Sequence, residues 1–191
     1  MSSFERFQSA YEARPPWDIG RPQPEFVAIA GEIKGKVLDV GCGTGENALF
    51  LAQRGHEVWG IDAVPKAIQA AKKKAAGQKL NVKFLVHDAL SLQKLGKIFD
   101  SIIDSGLFHV FSDSERSVFV KSLYSAMRKG GTYFMLCFSE HEPGEQGPRR
   151  IRKDEIKSAF AKGWKINYIR DAHFSADFGQ PHAWLASITK P

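Results

Sequence analysis

Apolar and polar residues alternate along this chain with two different periods, and the change of period predicts the order of the elements. Short runs rich in valine, isoleucine and phenylalanine are typical of buried strands, whereas apolar residues three and four positions apart are typical of helices. The predicted strands cover residues 36–40, 57–62, 81–88, 99–105, 132–138, 164–171 and 183–189. The predicted helices cover residues 45–54, 65–76 and 153–162, with a further helix that opens at Ser112 and ends at Gly130-Gly131.

Strands that alternate with helices predict an α/β fold, in which helices cover both faces of a parallel sheet. The last two strands have no helix between them, so we expect them to pair as an antiparallel hairpin. Residues 1–30 combine aromatic residues with a proline-rich turn, and we expect a helical lid over one end of the sheet. We predict one domain, with this lid, a ligand-binding core at 36–140 and a C-terminal helix and hairpin at 141–191.

The composition is that of a globular protein and excludes several functional classes. The 191 residues are 43% hydrophobic and 25% charged, which is enough for one packed core. No apolar run approaches the ~20 residues of a membrane span, and the N-terminus has no signal-peptide pattern. We therefore expect a cytoplasmic protein without a membrane partner. Two cysteines, Cys42 and Cys137, disfavour a disulfide framework, and no His or Cys pair has metal-ligand spacing, so we expect no metal.

A glycine loop directly follows the first predicted strand in "LDVGCGTGENALFLAQRG" (38–55). In an open parallel sheet this position lies beyond the carboxyl ends of the strands, where ligands bind. The loop is not a phosphate loop, because Gly45 is followed by Glu46 rather than by lysine. The spacing of Gly41, Gly43 and Gly45 also differs from the dinucleotide pattern G-x-G-x-x-G, and an acid at the helix N-terminus opposes a pyrophosphate.

Four consecutive predicted strands each deliver an aspartate at or near the carboxyl edge: Asp39, Asp62, Asp88 and Asp104. One aspartate at a strand end is usually a cap, but four beside a glycine loop indicate a cationic or hydroxyl-rich ligand. The Asp62 carboxylate can accept hydrogen bonds from two ribose hydroxyls. The Asp88 carboxylate can accept one from an adenine amino group.

These features resemble the class I S-adenosylmethionine-dependent methyltransferases. The segment "VLDVGCGTG" is close to the first motif of that superfamily, and "GID" and "HDA" match the next two. The resemblance implies a Rossmann-like, doubly wound sheet of seven strands, mostly parallel, with the last strand antiparallel. It also implies that Asp39 braces the loop, that Asp62 holds the ribose and that Asp104 or Ser105 lies near the sulfonium. The implied S-adenosylmethionine contacts are Trp17, Asp39, Gly41, Gly43, Gly45, Asp62, Ala63, Asp88, Ala89, Asp104 and Ser105.

Two further segments resemble a narrower group, the thiol, thiopurine and halide methyltransferases and bacterial methyltransferases of toxic heterocycles. They are "PPWDIGRPQPEF" (15–26) and, with "DSGLFHVF", the stretch "GPRRIRKDEI" (147–156). The fourth strand lacks the Pro-Pro-aromatic motif of enzymes that methylate exocyclic amino groups. The resemblance implies that Trp17 borders the cofactor and that Phe4, Phe7 and Tyr11 wall the acceptor pocket. Packing of an amphipathic helix is the alternative explanation for these aromatic residues.

Methyl transfer to a small thiol or a hydroxylated aromatic ring depends mainly on positioning, because such acceptors ionise near neutral pH. A base is therefore dispensable; if one exists, His109 is the first candidate and His141, His173 and His182 are weaker ones. A histidine that is satisfied structurally in the loop is the alternative for His109. The expected substrate contacts are Phe4, Tyr11, Phe138, Arg149 and Phe174, with Phe178 as a further residue that closes the pocket.

Three functions remain in competition at this stage. The first is methylation of a small molecule on sulfur or oxygen, in detoxification or secondary metabolism, by a monomer or weak homodimer. The second is methylation of nucleic acid or protein, which the net charge of +6 motivates, although no basic stretch is interleaved with stacking aromatics. The third is a non-catalytic module that binds the cofactor.

Overall fold

The computed structural model describes the backbone of residues 3–191 and the side chains of residues 5–191, and its seven described strands form one sheet. The strands are β1 (Lys36–Val40), β2 (Glu57–Asp62), β3 (Val82–Val86), β4 (Phe99–Ser105), β5 (Met127–Phe138), β6 (Lys165–His173) and β7 (His182–Thr189). They lie in the order β3-β2-β1-β4-β5-β7-β6. Strands β1 to β5 are mutually parallel, and β7 is antiparallel to both of its neighbours. The predicted α/β class and the terminal hairpin are confirmed.

The helices follow the strands in the order that the sequence pattern predicts. They are α1 (Ser3–Ala10), α2 (Pro24–Ala28), α3 (Glu46–Gln53), α4 (Pro65–Gly77), α5 (Asp113–Ala126) and α6 (Lys153–Ala159). Two 3₁₀ segments, Ala89–Leu95 and Phe108–Val110, follow β3 and β4. Among the described residues, no helix has the length and apolar character needed to cross a bilayer. The division into lid, core and C-terminal part stays a prediction.

Two clusters of buried side chains pack against the sheet. One cluster includes Leu38, Phe119 and Trp184, and the other includes Phe26, Leu49 and Phe134. Strands that are buried on both faces consist of nearly continuous apolar residues, so β1 and β4 are predictable from the sequence. The sheet is therefore a rigid platform for the loops at its carboxyl edge.

The predicted end of α5 at Gly130-Gly131 is wrong, because the helix ends at Ala126. Met127 is already extended, with φ −105° and ψ 137°, and pairs with Phe99 of β4. The two glycines instead lie within β5. There the Gly130 N–H donates to the Lys190 carbonyl at 2.7 Å, and the Lys190 N–H donates to the Gly131 carbonyl at 2.9 Å. Pairing across the sheet overrides the usual role of glycine as a helix terminator.

Residues 11–23, which we call the strap, join α1 to α2 and run across the carboxyl edge of the sheet. Gln23 is buried and exchanges two hydrogen bonds of 2.9 Å with the backbone of Ser175, in the β6–β7 connection. At the other rim, the Thr44 hydroxyl in the glycine loop donates to Asp18 at 2.9 Å. The strap is therefore attached both to the glycine loop and to the β6–β7 connection.

Candidate functional site

The loop Gly41–Gly45 lies where the strand order reverses, between β1 and β4, which is the usual ligand crevice of such sheets. Gly43 and Gly45 have φ angles of 53° and 89°, a conformation that L-residues rarely adopt. A Cβ on Gly43 would lie 2.7 Å from the Tyr11 hydroxyl oxygen, and one on Gly45 would lie 2.7 Å from Cζ of Phe84. Only glycine fits these positions, so a ligand can approach the loop backbone closely.

Asp62, at the end of β2, holds this loop in place. Its Oδ2 accepts the Gly43 N–H at 2.9 Å, and its Oδ1 accepts the Val64 N–H at 2.9 Å. Burial raises the pKa of this carboxyl, and the backbone hydrogen bonds oppose the rise. Each oxygen keeps a second lone pair, so the carboxylate can still accept from two hydroxyl groups. Ala63, which follows it, is exposed beside the same crevice.

Asp39 does not brace the loop, which corrects the sequence-based expectation. Its side chain is buried, and neither carboxyl oxygen has a hydrogen-bond partner among the described residues. Burial, reinforced by the nearby Asp104 carboxyl, raises the pKa of Asp39 to about 8. The carboxyl oxygens have almost no exposed surface, so a ligand in the crevice would be influenced by the charge of Asp39 without touching it. A positively charged ligand group near the loop would favour the ionised form of this carboxyl.

Asp88 and Ala89 begin the 3₁₀ segment after β3. The Asp88 Oδ1 accepts the Leu90 N–H at 2.9 Å and thereby caps this segment, while Ala89 is buried beneath it. The carboxylate itself is exposed, so its other oxygen can accept from an external amino group.

Asp104 supports the loop after β4 from below and does not face a ligand. Its side chain is fully buried and accepts from the Leu107 N–H at 2.7 Å, the Phe108 N–H at 3.0 Å and the Tyr133 hydroxyl at 2.6 Å. Burial raises its pKa to about 7 against these hydrogen bonds. Of the two residues expected near the sulfonium, only Ser105 is partly exposed, and its role there stays a prediction.

Tyr11, Trp17 and Phe7 pack together above the glycine loop. The Trp17 indole N–H donates to the Tyr11 hydroxyl at 3.2 Å, and the Phe7 ring meets the Trp17 ring edge-on at 5.7 Å. Tyr11 also packs against Val64 at the start of α4. Tyr11 thus contacts the glycine loop and the start of α4, and its place in the acceptor wall stays a prediction. The side chain of Phe4, predicted for the same wall, lies outside the described residues.

A second aromatic cluster forms beyond the ends of β4 and β5, on the acceptor side. The rings of Phe138 and Phe174 are 5.4 Å apart, and the His109 ring meets Phe138 edge-on at 5.1 Å. A Cβ on Gly106 would lie 3.0 Å from Phe174, so this cluster presses against the loop after β4. The structure brings Phe138 and Phe174 together as expected, whereas Phe178 is 64% exposed.

His109 is not arranged as a general base, which corrects its predicted role. It is 5% exposed, and its Nδ1 accepts the backbone N–H of Phe138 at 3.0 Å. That hydrogen bond places the ring proton of the neutral imidazole on Nε2, so no lone pair remains to take a proton from an acceptor. Burial, together with the charges of Arg116 and Arg150, lowers its pKa to about 3. The weaker candidates His141, His173 and His182 are exposed on the β6–β7 side.

Arg149 points away from the aromatic cluster, whereas its neighbour Arg150 lies against Phe138. Arg149 is exposed and forms ion pairs with Asp113 at 2.6 Å and with Glu155. The Arg150 guanidinium lies 5.5 Å from the centroid of the Phe138 ring. The two neighbours were indistinguishable in sequence, and only the fold of the 140–152 loop separates them.

The backbone holds Arg150 by three carbonyl groups. Its Nε donates to Glu142 at 3.2 Å, its Nη1 to Pro148 at 2.6 Å and its Nη2 to Pro143 at 3.1 Å. A guanidinium has five N–H donors, so further N–H groups are available to a ligand. No ion pair with a carboxylate is found for Arg150 among the described residues, in contrast to Arg149.

Three structural residues of the site were not identified from the sequence. Phe84 packs under both the glycine loop and Gly60, Tyr133 holds Asp104, and Gln23 ties the strap to Ser175. Each side chain acts through a partner that is distant in sequence. No local sequence signal distinguishes these three residues from ordinary surface or core residues.

Comparisons with known proteins agree with this geometry. A family model described as "Methyltransferase domain" matches residues 37–131. A 2-heptyl-1-hydroxyquinolin-4(1H)-one methyltransferase of Mycobacteroides abscessus is 38% identical, over 90% of this chain and 81% of its own length. A probable thiol methyltransferase of Arabidopsis thaliana is 28% identical, over 79% of this chain and 69% of its own. A structure solved in work on "Conversion of a Disulfide Bond into a Thioacetal Group during Echinomycin Biosynthesis" is 36% identical, covers 98% of this chain and 92% of its own, and superposes with a TM-score of 0.89.

Proposed function

The chain belongs to the S-adenosylmethionine-dependent methyltransferases, and we propose that its acceptor is a small molecule that is methylated on sulfur or oxygen. A thiol or a hydroxylated aromatic heterocycle is the class of acceptor that fits best. The two curated relatives described above are named for acceptors of these two kinds. We further propose detoxification or secondary metabolism as the setting, in the cytoplasm, by a monomer or weak homodimer.

The residues at the glycine loop fit the parts of S-adenosylmethionine. The buried Asp39 carboxyl would favour the cationic amino-acid end through its charge, and the backbone of the glycine loop would contact that end. The unused lone pairs of Asp62 suit the ribose hydroxyls, and the exposed Asp88 suits the adenine amino group. Trp17 and Tyr11 exclude water above the loop. When bound, the cofactor supplies a methyl group on a sulfonium, which a nucleophile can displace.

The observation that carries the proposal is an acceptor side that is aromatic, buried and without an available base. Phe138 and Phe174 are 4% and 5% exposed, and the only nearby imidazole is neutral and already hydrogen-bonded. Such a pocket suits a flat or soft acceptor that arrives ionised, because it positions the nucleophile and keeps water out. An amine or alcohol of high pKa would need a base that this wall does not offer.

Arg150 supplies the positive charge that an ionised acceptor requires. Its guanidinium is fixed by three carbonyls against Phe138 and keeps further N–H donors. Guanidinium groups bind oxyanions through charge-assisted hydrogen bonds. In this arrangement Arg150 binds the acceptor anion, Phe138 and Phe174 stack against its apolar part, and the strap closes the crevice.

The test is release of S-adenosylhomocysteine by purified protein with a panel of acceptors. The panel contains a small thiol, a thiopurine, a hydroxyquinolone, a phenol, iodide and bulk tRNA. We expect turnover with the thiol or the heterocycles and none with tRNA. Turnover with tRNA alone, or cofactor binding without turnover on any acceptor, would contradict the proposal and favour a macromolecular acceptor or a non-catalytic role.

A further inference from the structure

The charges of this protein are segregated between the two edges of its sheet. The amino edge, where the parallel strands begin and most helices end, is formed by residues 32–36, 54–57, 79–83, 94–100, 128–129, 162–165 and 190. These segments hold about twelve of the 27 Lys and Arg residues but only three of the 21 acids, Glu32, Glu57 and Asp100. The rest of the chain is therefore net negative. The whole positive excess of the protein lies on the edge opposite the crevice.

Preferences at helix ends explain part of this pattern but not its extent. Basic residues are favoured near helix C-termini, and Lys79 and Arg128 follow α4 and α5. Other cations of the edge lie on strands, where no helix dipole acts. Lys36 begins β1, and Lys83 on β3 lies beside Trp59 of β2 in the register of the sheet.

Exposed apolar side chains are interleaved with these cations. Ile98 is 53% exposed between Lys97 and the start of β4, and Tyr124 is 41% exposed at the end of α5. Trp164 meets Tyr124 edge-on at 5.5 Å and is flanked by basic residues at 162 and 165. Tyrosine, tryptophan and isoleucine among lysines are typical of side chains that enter the headgroup region of a membrane.

We propose that the amino edge docks on an anionic lipid surface, a peripheral contact that replaces the sequence-based expectation of no membrane partner. Ten of its cations are lysines, which act as point charges towards a negative leaflet, each favouring binding near the surface. Single-stranded nucleic acid fits less well, because lysine ammonium groups already lie over two of the aromatic rings on which bases would stack. The Lys190 ammonium lies 4.0 Å from the Tyr124 ring, and Lys83 lies 4.9 Å from the Trp59 ring.

Docking by this edge leaves the crevice open to solution. The glycine loop, the strap and the carboxylates of the site lie at the carboxyl edge, on the far side of the sheet. A negative leaflet attracts one edge and repels the other, so the charge distribution also fixes the orientation. The interaction is therefore expected to leave turnover unchanged.

The experiment is sedimentation of the full chain with phosphatidylserine-rich vesicles, and with phosphatidylcholine vesicles as reference. Two double variants carry the same change of net charge. Lys129→Glu with Lys165→Glu alters the amino edge, whereas Lys72→Glu with Lys73→Glu alters the outer face of α4. We expect the wild type to bind only the anionic vesicles, with binding lost at high salt.

The affinity of the amino-edge variant for anionic vesicles should be at least roughly tenfold lower than that of the wild type. The affinity of the α4 variant should be within a few fold of the wild type. A Lys129→Gln, Lys165→Gln variant should fall between them and guards against misfolding caused by charge reversal. Absence of binding by the wild type would overturn the proposal, as would equal losses in both double variants. If the protein binds duplex RNA more tightly than vesicles, the partner of this edge is a nucleic acid and the lipid proposal is wrong. Turnover on the acceptor panel is measured separately. A protein that does not bind vesicles can therefore still have the proposed methyltransferase activity.

Discussion

Replacing Arg150 by glutamine is the sharpest test of how the acceptor is recognised. Glutamine keeps much of the length and polarity but removes the charge and the fork of N–H donors. Arg149→Gln is the matched control, since that side chain is next in sequence, exposed and paired with Asp113 and Glu155. The two substitutions change the net charge equally, so any difference between their effects is due to the positions of the two side chains.

The expected size of the effect follows from the surroundings of Arg150. A hydrogen bond to a charged group contributes about 1.5–3 kcal/mol, and a half-buried guanidinium belongs at the lower end of that range. A loss of about 1.4 kcal/mol is tenfold in an equilibrium or rate constant. We therefore expect kcat/KM for an anionic acceptor to fall roughly tenfold in Arg150→Gln, and to stay within about twofold in Arg149→Gln.

The assay is the pH dependence of kcat and of kcat/KM for a thiol or hydroxyquinolone, with cofactor affinity measured by calorimetry. Loss of the positive charge disfavours the bound anion, so the acidic limb of the kcat profile, which reports the pKa of the bound acceptor, should move to higher pH in Arg150→Gln. Cofactor affinity should not change, because Arg150 lies at the acceptor wall against Phe138. Equal effects of the two substitutions, or an unchanged acidic limb, would refute the assignment of Arg150.

Three other predictions concern the remaining groups of the site. Asp62→Asn should weaken cofactor binding at least roughly tenfold while the fold is kept, because an amide offers the ribose and the Gly43 N–H only one acceptor oxygen; unchanged calorimetric affinity would contradict this. His109→Gln should lower turnover less than fivefold, and equally for thiol and hydroxyl acceptors, since the imidazole is neutral and engaged; a selective loss with hydroxyl acceptors would restore it as a base. Without cofactor, thermal stability should decrease as pH rises from about 6.5 to about 8, because burial raises the pKa of Asp39 and Asp104 and the folded state there binds more protons than the unfolded chain; at lower pH the lowered pKa of His109 acts in the opposite direction. Asp39→Asn should flatten the decline between pH 6.5 and 8, and a stability that rises over that range would contradict it.

The cofactor side of the site was largely predictable from the sequence, because its signals are local. A glycine loop between a buried strand and a helix, and an acid at the end of each following strand, fix both position and chemistry. What the local pattern could not show is how each carboxylate is used. The Asp39 carboxyl has no hydrogen-bond partner among the described residues, whereas Asp62 accepts a hydrogen bond from the loop. This difference depends on the register between β1 and β2.

The acceptor side was less predictable because its contacts join distant parts of the chain. Arg149 and Arg150 differ only in the direction that an irregular loop gives them. Tyr11 packs over Gly43 because of the course of the strap, and that contact could not be predicted from the local sequence. The end of α5 was misplaced for a similar reason, since pairing with β4 decides the conformation of Met127.

The measurement that tests the central claim most directly is identification of the product by mass spectrometry after incubation with S-adenosylmethionine and a hydroxyquinolone or a small thiol. The account predicts one added methyl group on the oxygen or sulfur of the acceptor, with one S-adenosylhomocysteine formed for each. An unmodified acceptor, together with tight cofactor binding and a methyl group recovered in added RNA or protein, would contradict it.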